Sequence, residues 1–270
     1  MMRARRILDW MMRLLFPVVL LGVVVFSIYF QPPLVSSPEV SRQFRDQGSK
    51  SGFFLSAATQ TSAWPSDLPL ILARALQAAF GQDMPRAESF YYVGTARARI
   101  KGLPLNFGAE AVLIPGQGLA RQRQLNLFGF PVLLFQAGVS QDRAWLRRNG
   151  RPREADLEAA RTAVWLERAA LLLPLAQAGL EWRPAGEGRL KTLIGSGREL
   201  ILEFKEKRLV QARAGDQSLV LAEPVKFGPY SLASVWTGRW GQAGWRRFQL
   251  TGLVLNPPFA GQALADGLGR

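Results

Sequence analysis

From Phe90 the chain alternates small or apolar residues with polar ones, and after one helical interval the same period of two returns at Leu180. This is the period of a half-buried strand, whose successive side chains point to opposite faces of a sheet. Ala96-Arg97-Ala98-Arg99-Ile100-Lys101 shows it plainly, so a strand is expected from Phe90. Further strands are expected at Leu105–Ile114, Leu119–Phe128, Pro131–Gln136 and Val139–Arg148, with turns at Gly102, Pro115-Gly116-Gln117-Gly118, Gly129 and Gly138. The pattern resumes at Leu180–Arg183, Gly188–Ile194, Glu199–Lys205, Leu209–Ala214, Leu219–Leu221, Leu232–Trp236 and Trp245–Leu253. Turns this short join antiparallel neighbours, and so large a sheet must close, curl or be covered to protect its edges. The expectation is an α+β fold built on a large antiparallel curved sheet, a half-barrel, covered by helices.

Two segments carry a helical period instead. Ser66-Asp67-Leu68-Pro69 is read as the start of a helix ending at Gly81, with Leu68, Leu72, Ala75, Leu76 and Ala79 on its apolar stripe. The second helix is expected from Pro152 to Leu173, with Glu154, Asp156 and Glu158 near its positive end, Glu158 and Arg161 spaced to pair, and Pro174 stopping it. Val164-Trp165-Leu166 and residues 169 to 173 are apolar on nearly every side, so this end must be covered from more than one direction. It should lie across the concave face of the sheet, with Trp165 and Leu172 pointing into it.

The amino-terminal region sets the compartment. Leu14–Phe30 is an uncharged apolar run, and at ~1.5 Å per residue it covers about 26 Å of a hydrocarbon core about 30 Å thick. Met11 and Met12 extend it, and Arg3, Arg5, Arg6 and Arg13 lie on its amino side. The positive-inside bias then predicts a cytoplasmic start and an exported remainder. The run ends in Ser27-Ile28-Tyr29-Phe30-Gln31-Pro32-Pro33, without the small-residue pattern that cleavage needs, so it reads as an anchor. The expected organisation is a basic cytoplasmic segment 1–13, a single transmembrane helix 14–30, a Pro/Ser-rich linker 31–50, an exported half-barrel 51–258 and a frayed tail 259–270. The expected location is the inner membrane, single-pass, with the carboxy-terminal domain outside the cytoplasm.

Composition narrows the chemistry. The chain has no cysteine and no histidine, which removes Ser-His-Asp and Cys-His nucleophiles and the usual zinc, haem and iron-sulfur ligands. No metal or cofactor is expected, and no catalytic residue is assigned. A carboxylate pair is the chemistry left open, with Glu110, Asp142, Glu154, Glu167, Glu181 and Glu199 as its candidates. The formal charge is +14, and because residues 1–13 hold four arginines and Asp9, +11 falls on the rest. A basic exported domain is drawn to anionic headgroups or acidic envelope polymers. No nucleic-acid motif appears, and nucleic acid is not an expected partner.

The aromatics Phe128, Phe130, Phe135, Trp145, Trp165, Trp182, Trp236, Trp240 and Trp245 are candidates to line an apolar pocket, with Leu172 beside Trp165. Core packing is the plainer account of any single one of them, and Trp165 on the apolar helix is the foremost candidate for a lining position. Arg97, Arg99, Arg121 and Arg123 alternate on two strands and would form an anion cradle if those strands were adjacent. A solvated outer face is the plainer account. Glu167, in so apolar a stretch, is expected to pair with an arginine such as Arg168 or with a strand residue.

Gly94–Ile100, Pro115–Arg123 and Trp165–Pro174 resemble an uncharacterised bacterial family of membrane-anchored proteins, over roughly Phe90 to Pro258. The order of strands and helices is more distantly similar to the half-barrel superfamily of periplasmic lipoprotein carriers and outer-membrane lipoprotein receptors. That resemblance implies an apolar concavity holding acyl chains under helical lids. The expected function is therefore non-enzymatic binding of a lipid or other apolar ligand. The alternative is a structural protein docking a basic sheet face on anionic lipid, envelope polymer or a protein partner.

Overall fold

The computed structural model describes residues 53–56, 60–100, 103–127, 130–140, 142–195, 197–240, 245–258, 260–261 and 264. The expected cytoplasmic segment, transmembrane run and linker lie outside them. No helix among the described residues is long and apolar enough to cross a membrane.

In chain order the structure begins with β1 (Phe53–Ser56), β2 (Thr61–Ser62), α1 (Leu70–Phe80) and β3 (Met84–Pro85). The first antiparallel run is β4 (Phe90–Ile100), β5 (Leu103–Ile114), β6 (Gly118–Leu127), β7 (Phe130–Ser140), β8 (Ala144–Arg148) and β9 (Arg151–Arg153). Helices α2 (Leu157–Leu171) and α3 (Leu173–Ala176) follow. The second run is β10 (Arg183–Pro184), β11 (Arg189–Ile194), β12 (Arg198–Lys205), β13 (Arg208–Ala214), β14 (Gln217–Phe227), β15 (Tyr230–Trp240) and β16 (Trp245–Leu255).

Strands β10 to β16 lie side by side in order, and β16 then pairs antiparallel with β4, which begins the run to β9. The two runs thus fuse into one curved, unclosed sheet. Strand β1 adds in parallel to β16 at Gly252–Leu255, beyond the stretch that pairs with β15. Helix α1 packs on β13 and β15, and α2 crosses from β13–β15 to β7 and β8. The main core fills the space between these helices and one sheet face, with Trp236, Trp240, Phe90, Phe107 and Phe227 fully buried. On the outer face, Ala260 and Leu264 cover Tyr91, Val112 and Val254, so the expected frayed tail is packed at these two residues. Asn256 fixes that return: its side chain accepts from Glu88 N at 2.7 Å and donates to Arg86 O at 2.9 Å.

Several boundaries differ from expectation for identifiable reasons. Helix α1 begins at Leu70, because Pro69 is extended (φ −55°, ψ 137°) and Leu68 before it is biased away from the helical region. Ser66 caps nothing. Helix α2 begins at Leu157, where Asp156 accepts from Glu158 N and Ala159 N at 3.0 and 3.1 Å. Pro152 lies instead in β9, the last strand of the sheet, where a missing N–H is tolerated. Leu172 adopts φ +59° and ends α2, and Pro174 sits in the first turn of α3. Gly138 is no turn: β7 runs through it, opposite Trp145. Strand β14 continues through Pro224 because Glu223 takes φ +51° and the Ser234 hydroxyl bonds its carbonyl at 2.7 Å.

Candidate functional site

Helix α2 meets the sheet through one charged residue. Glu167 is buried, 3% exposed, on the sheet-facing side of the helix. Arg121 of β6 donates to Glu167 Oε1 at 2.5 Å, Trp240 Nε1 of β15 donates to the same oxygen at 3.3 Å, and the Tyr92 hydroxyl of β4 bonds Oε2. Of the two expected partners the strand residue is the one found, Arg121, whereas Arg168 lies over the Trp165 ring instead. The four side chains tie helix to sheet across both runs. Both carboxylate oxygens thus accept hydrogen bonds from the sheet.

The alternation of β6 brings this about. Leu119, Arg121, Arg123 and Leu125 share the helix-covered face, whereas Ala120 and Gln122 point to the other. Burial, with the charge of Glu167 and its hydrogen bond, raises the Tyr92 pKa well above 10, so the hydroxyl stays a donor. Burial and the neighbouring charge of Arg121 hold Arg123 well below the usual guanidinium value. On the opposite face Tyr91 donates to Glu110 at 2.8 Å, and burial raises its pKa too.

The four-arginine cradle does not form. Strand β5 separates β4 from β6, and Arg97 is exposed on the outer face while Arg121 is buried on the inner. The side chain of Arg99 lies outside the described residues, as do those of Phe128, Phe130 and Trp245. Trp236 is core, 1% exposed, with its ring tilted against Phe248 at 4.8 Å and Tyr92 at 5.8 Å. Leu172 is buried at the α2–α3 break. Phe135 is half-buried on the inner face, edge-on to Phe107 at 5.8 Å. Trp182 packs on the core, and its Nε1 has no partner among the described residues. Trp145 belongs to the other side of the sheet: its indole occupies the space a Cβ on Gly138 would take, 2.5 Å from Nε1. It cannot line the concavity.

The middle of the concave face is therefore packed, and open space lies beside it. A groove of 480 Å³ runs between α2, the β5–β6 turn and the β11–β12 turn. Its apolar walls are Val139, Val164, Trp165 and Ile194, and its polar ones include Arg161, Arg168 and Arg198. The volume is in the range of small-molecule sites, about 300–1,000 Å³. Trp165 carries the Arg168 guanidinium 4.4 Å above its ring. Sequence reasoning singled out Trp165 but missed Arg168 and Arg198 as lining residues, since both look like ordinary surface arginines. The only available signal was the i, i+3 spacing of Trp165 and Arg168, which stacks them on one helix face. Among the described residues no His/Cys/Asp/Glu group could hold a metal ion.

No protein-family model matches the chain, and no curated protein matches it in sequence. Among solved structures it is similar to a DUF1329 family protein from Desulfovibrio piger, with a TM-score of 0.42 and 9% identity, over 69% of this chain and 90% of that one. It is similar to a LolA superfamily protein from Nitrosomonas europaea, with a TM-score of 0.41 and 10% identity, over 69% and 92%. A putative outer membrane lipoprotein-sorting protein domain from Vibrio parahaemolyticus has a TM-score of 0.36 and 9% identity, over 62% and 85%. LolA-superfamily structures are thus among those the chain resembles.

Proposed function

We propose that this protein is anchored in the inner membrane by Leu14–Phe30 and that its extracytoplasmic half-barrel binds a lipid or other apolar ligand without catalysing a reaction. The observation that carries this reading is the groove along α2, in which Trp165 keeps part of its ring uncovered beside Val139, Val164 and Ile194. An incomplete aromatic wall next to a packed core supplies apolar contact without the cost of opening that core. Glu167 holds the helix in place above it. Native mass spectrometry of the full chain, released gently from detergent, tests the reading. A retained lipid that is lost on Trp165→Ala, with the melting temperature changed little, is expected. A lipid-free protein, or a variant that loses stability but not lipid, would overturn it.

The docking alternative has an observation of its own. Arg97 and Arg247 stand directly opposite in register on β4 and β16, and Arg213 and Arg239 flank Ser218 across β13, β14 and β15. All four are exposed on the outer face, where Arg247 meets Glu223 at 3.8 Å. Like charges directly opposite are unfavourable, and an anionic surface would offset that cost.

A further inference from the structure

The groove is charged as well as apolar. Three arginines and two acids line it: Arg161, Arg168 and Arg198 against Glu158 and Asp142. Arg161 bonds Glu158 at 2.8 Å within the helix. Among the described residues neither Arg168 nor Arg198 makes an ion pair. Arg198 donates to the neutral Thr162 hydroxyl at 3.0 Å. Arg168 lies over the Trp165 ring, and its buried Nε has no hydrogen-bond partner among the described residues. A buried donor left unmade is costly, and a guanidinium is suited by its planar fork to a carboxylate or phosphate. After the internal pair is set aside, two guanidiniums face one exposed carboxylate, which leaves room for a single negative charge.

We infer that the groove recognises an amphiphile carrying one oxyanion, its head held between Arg168 and Arg198 and its apolar part laid on Trp165 and Ile194. The inference rests on the apolar-ligand reading and adds the chemistry of the head. The arrangement favours it in two ways. Stacking on Trp165 holds the Arg168 guanidinium in place, so less freedom is lost when an anion binds. Burial also lowers the Arg168 pKa by penalising its charge, and a bound anion would offset that penalty. A fatty-acid carboxylate and a phospholipid phosphodiester share the required single charge, and the probes below separate them.

Calorimetric titration of the full chain in neutral detergent micelles, with palmitate, phosphatidylglycerol and uncharged hexadecanol as probes, tests the inference. One or both anions should bind about tenfold or more tighter than hexadecanol. Preference for palmitate identifies a fatty acid and preference for phosphatidylglycerol a phospholipid. Arg168→Gln should remove that advantage, lowering the affinity for the anions far more than that for hexadecanol. Arg198→Gln, at the start of β12 and half-buried, should do the same even if Arg168→Gln fails to fold. If hexadecanol binds as tightly as both anions, head recognition is wrong while the apolar reading stands. If none of the three binds, both fall. Anion preference that persists in both variants would place the head elsewhere and overturn the inference.

Discussion

Glu167 is the residue on which helix and sheet agree, and its energetics are asymmetric. A buried pair offsets its own desolvation only through good geometry, but breaking one leaves an uncompensated charge inside. Glu167→Ala should therefore cost about 3–5 kcal/mol in denaturant unfolding of the detergent-solubilised chain, because Arg121 is stranded beside Arg123. Replacing Glu167 and Arg121 together by leucine should recover much of that loss. Tyr92 adds a pH signature. Its pKa is raised in the folded chain, so its contribution is complete below the unfolded value near 10 and is lost as pH rises beyond it towards the folded value. Above pH ~10 the unfolding free energy should fall more steeply for the wild type than for Tyr92→Phe, by about 1.4 kcal/mol per pH unit. Equal slopes in alkaline unfolding titrations would show that the hydroxyl is not held neutral.

Strand pairing imposes its own demands at two glycines. A Cβ on Gly94 would lie 2.1 Å from the Gln249 carbonyl oxygen, at the irregularity between Leu250 and Gly252 where β16 and β4 join. The obstacle is backbone, so the strands themselves must part. Gly94→Ala should destabilise the fold by more than Gly138→Ala, for which the obstacle is the Trp145 ring. Thermal unfolding of the two variants checks the order, and the Gly138 change should fall near the usual overpacking cost of about 1–3 kcal/mol. Helix α2 is simpler. Asp156→Ala removes two hydrogen bonds at its N-terminus and should cost about 1 kcal/mol, while Asp156→Ser should restore most of it.

At the scale of the molecule, β16 is both the last strand and the one that joins the two runs. It pairs with β15, β4 and β1. Deleting residues 245–258 would expose the facing edges of β4 and β15 and uncover Phe90, Tyr92 and Trp236, so cooperative unfolding should vanish. A cooperative transition in circular dichroism would show that each run is stable alone. The outer face gives a separable result. If its arginines dock on lipid, binding to anionic vesicles should fall steeply as salt rises from 0.05 to about 0.5 M, because the Debye length shrinks from above 10 Å towards ~4 Å. Arg97→Gln with Arg247→Gln should weaken it further, whereas groove binding of an uncharged amphiphile should respond to neither.

Local alternation, turn residues and the all-round apolar second half of α2 were enough to specify strands, their antiparallel sense and a helix laid on the sheet. Periodicity depends on neighbours two to four residues apart, and those are in the sequence. The same locality explains what was hidden. Pro152 reads as a helix start until β8 gives it an edge to join, and Gly138 reads as a turn until Trp145 fills the space beside it. Leu119 and Leu125 share the parity of Arg121 and not of Gln122, but nothing within β6 says that a helix covers that face. Glu167 announced only that it needed a cation. Which arginine answers, and which two are left facing the groove beside Trp165, was decided by the β16–β4 joint and the path of α2, contacts between residues as far apart in the chain as Phe90 and Leu255. Burial and charge at such distances depend on the whole fold.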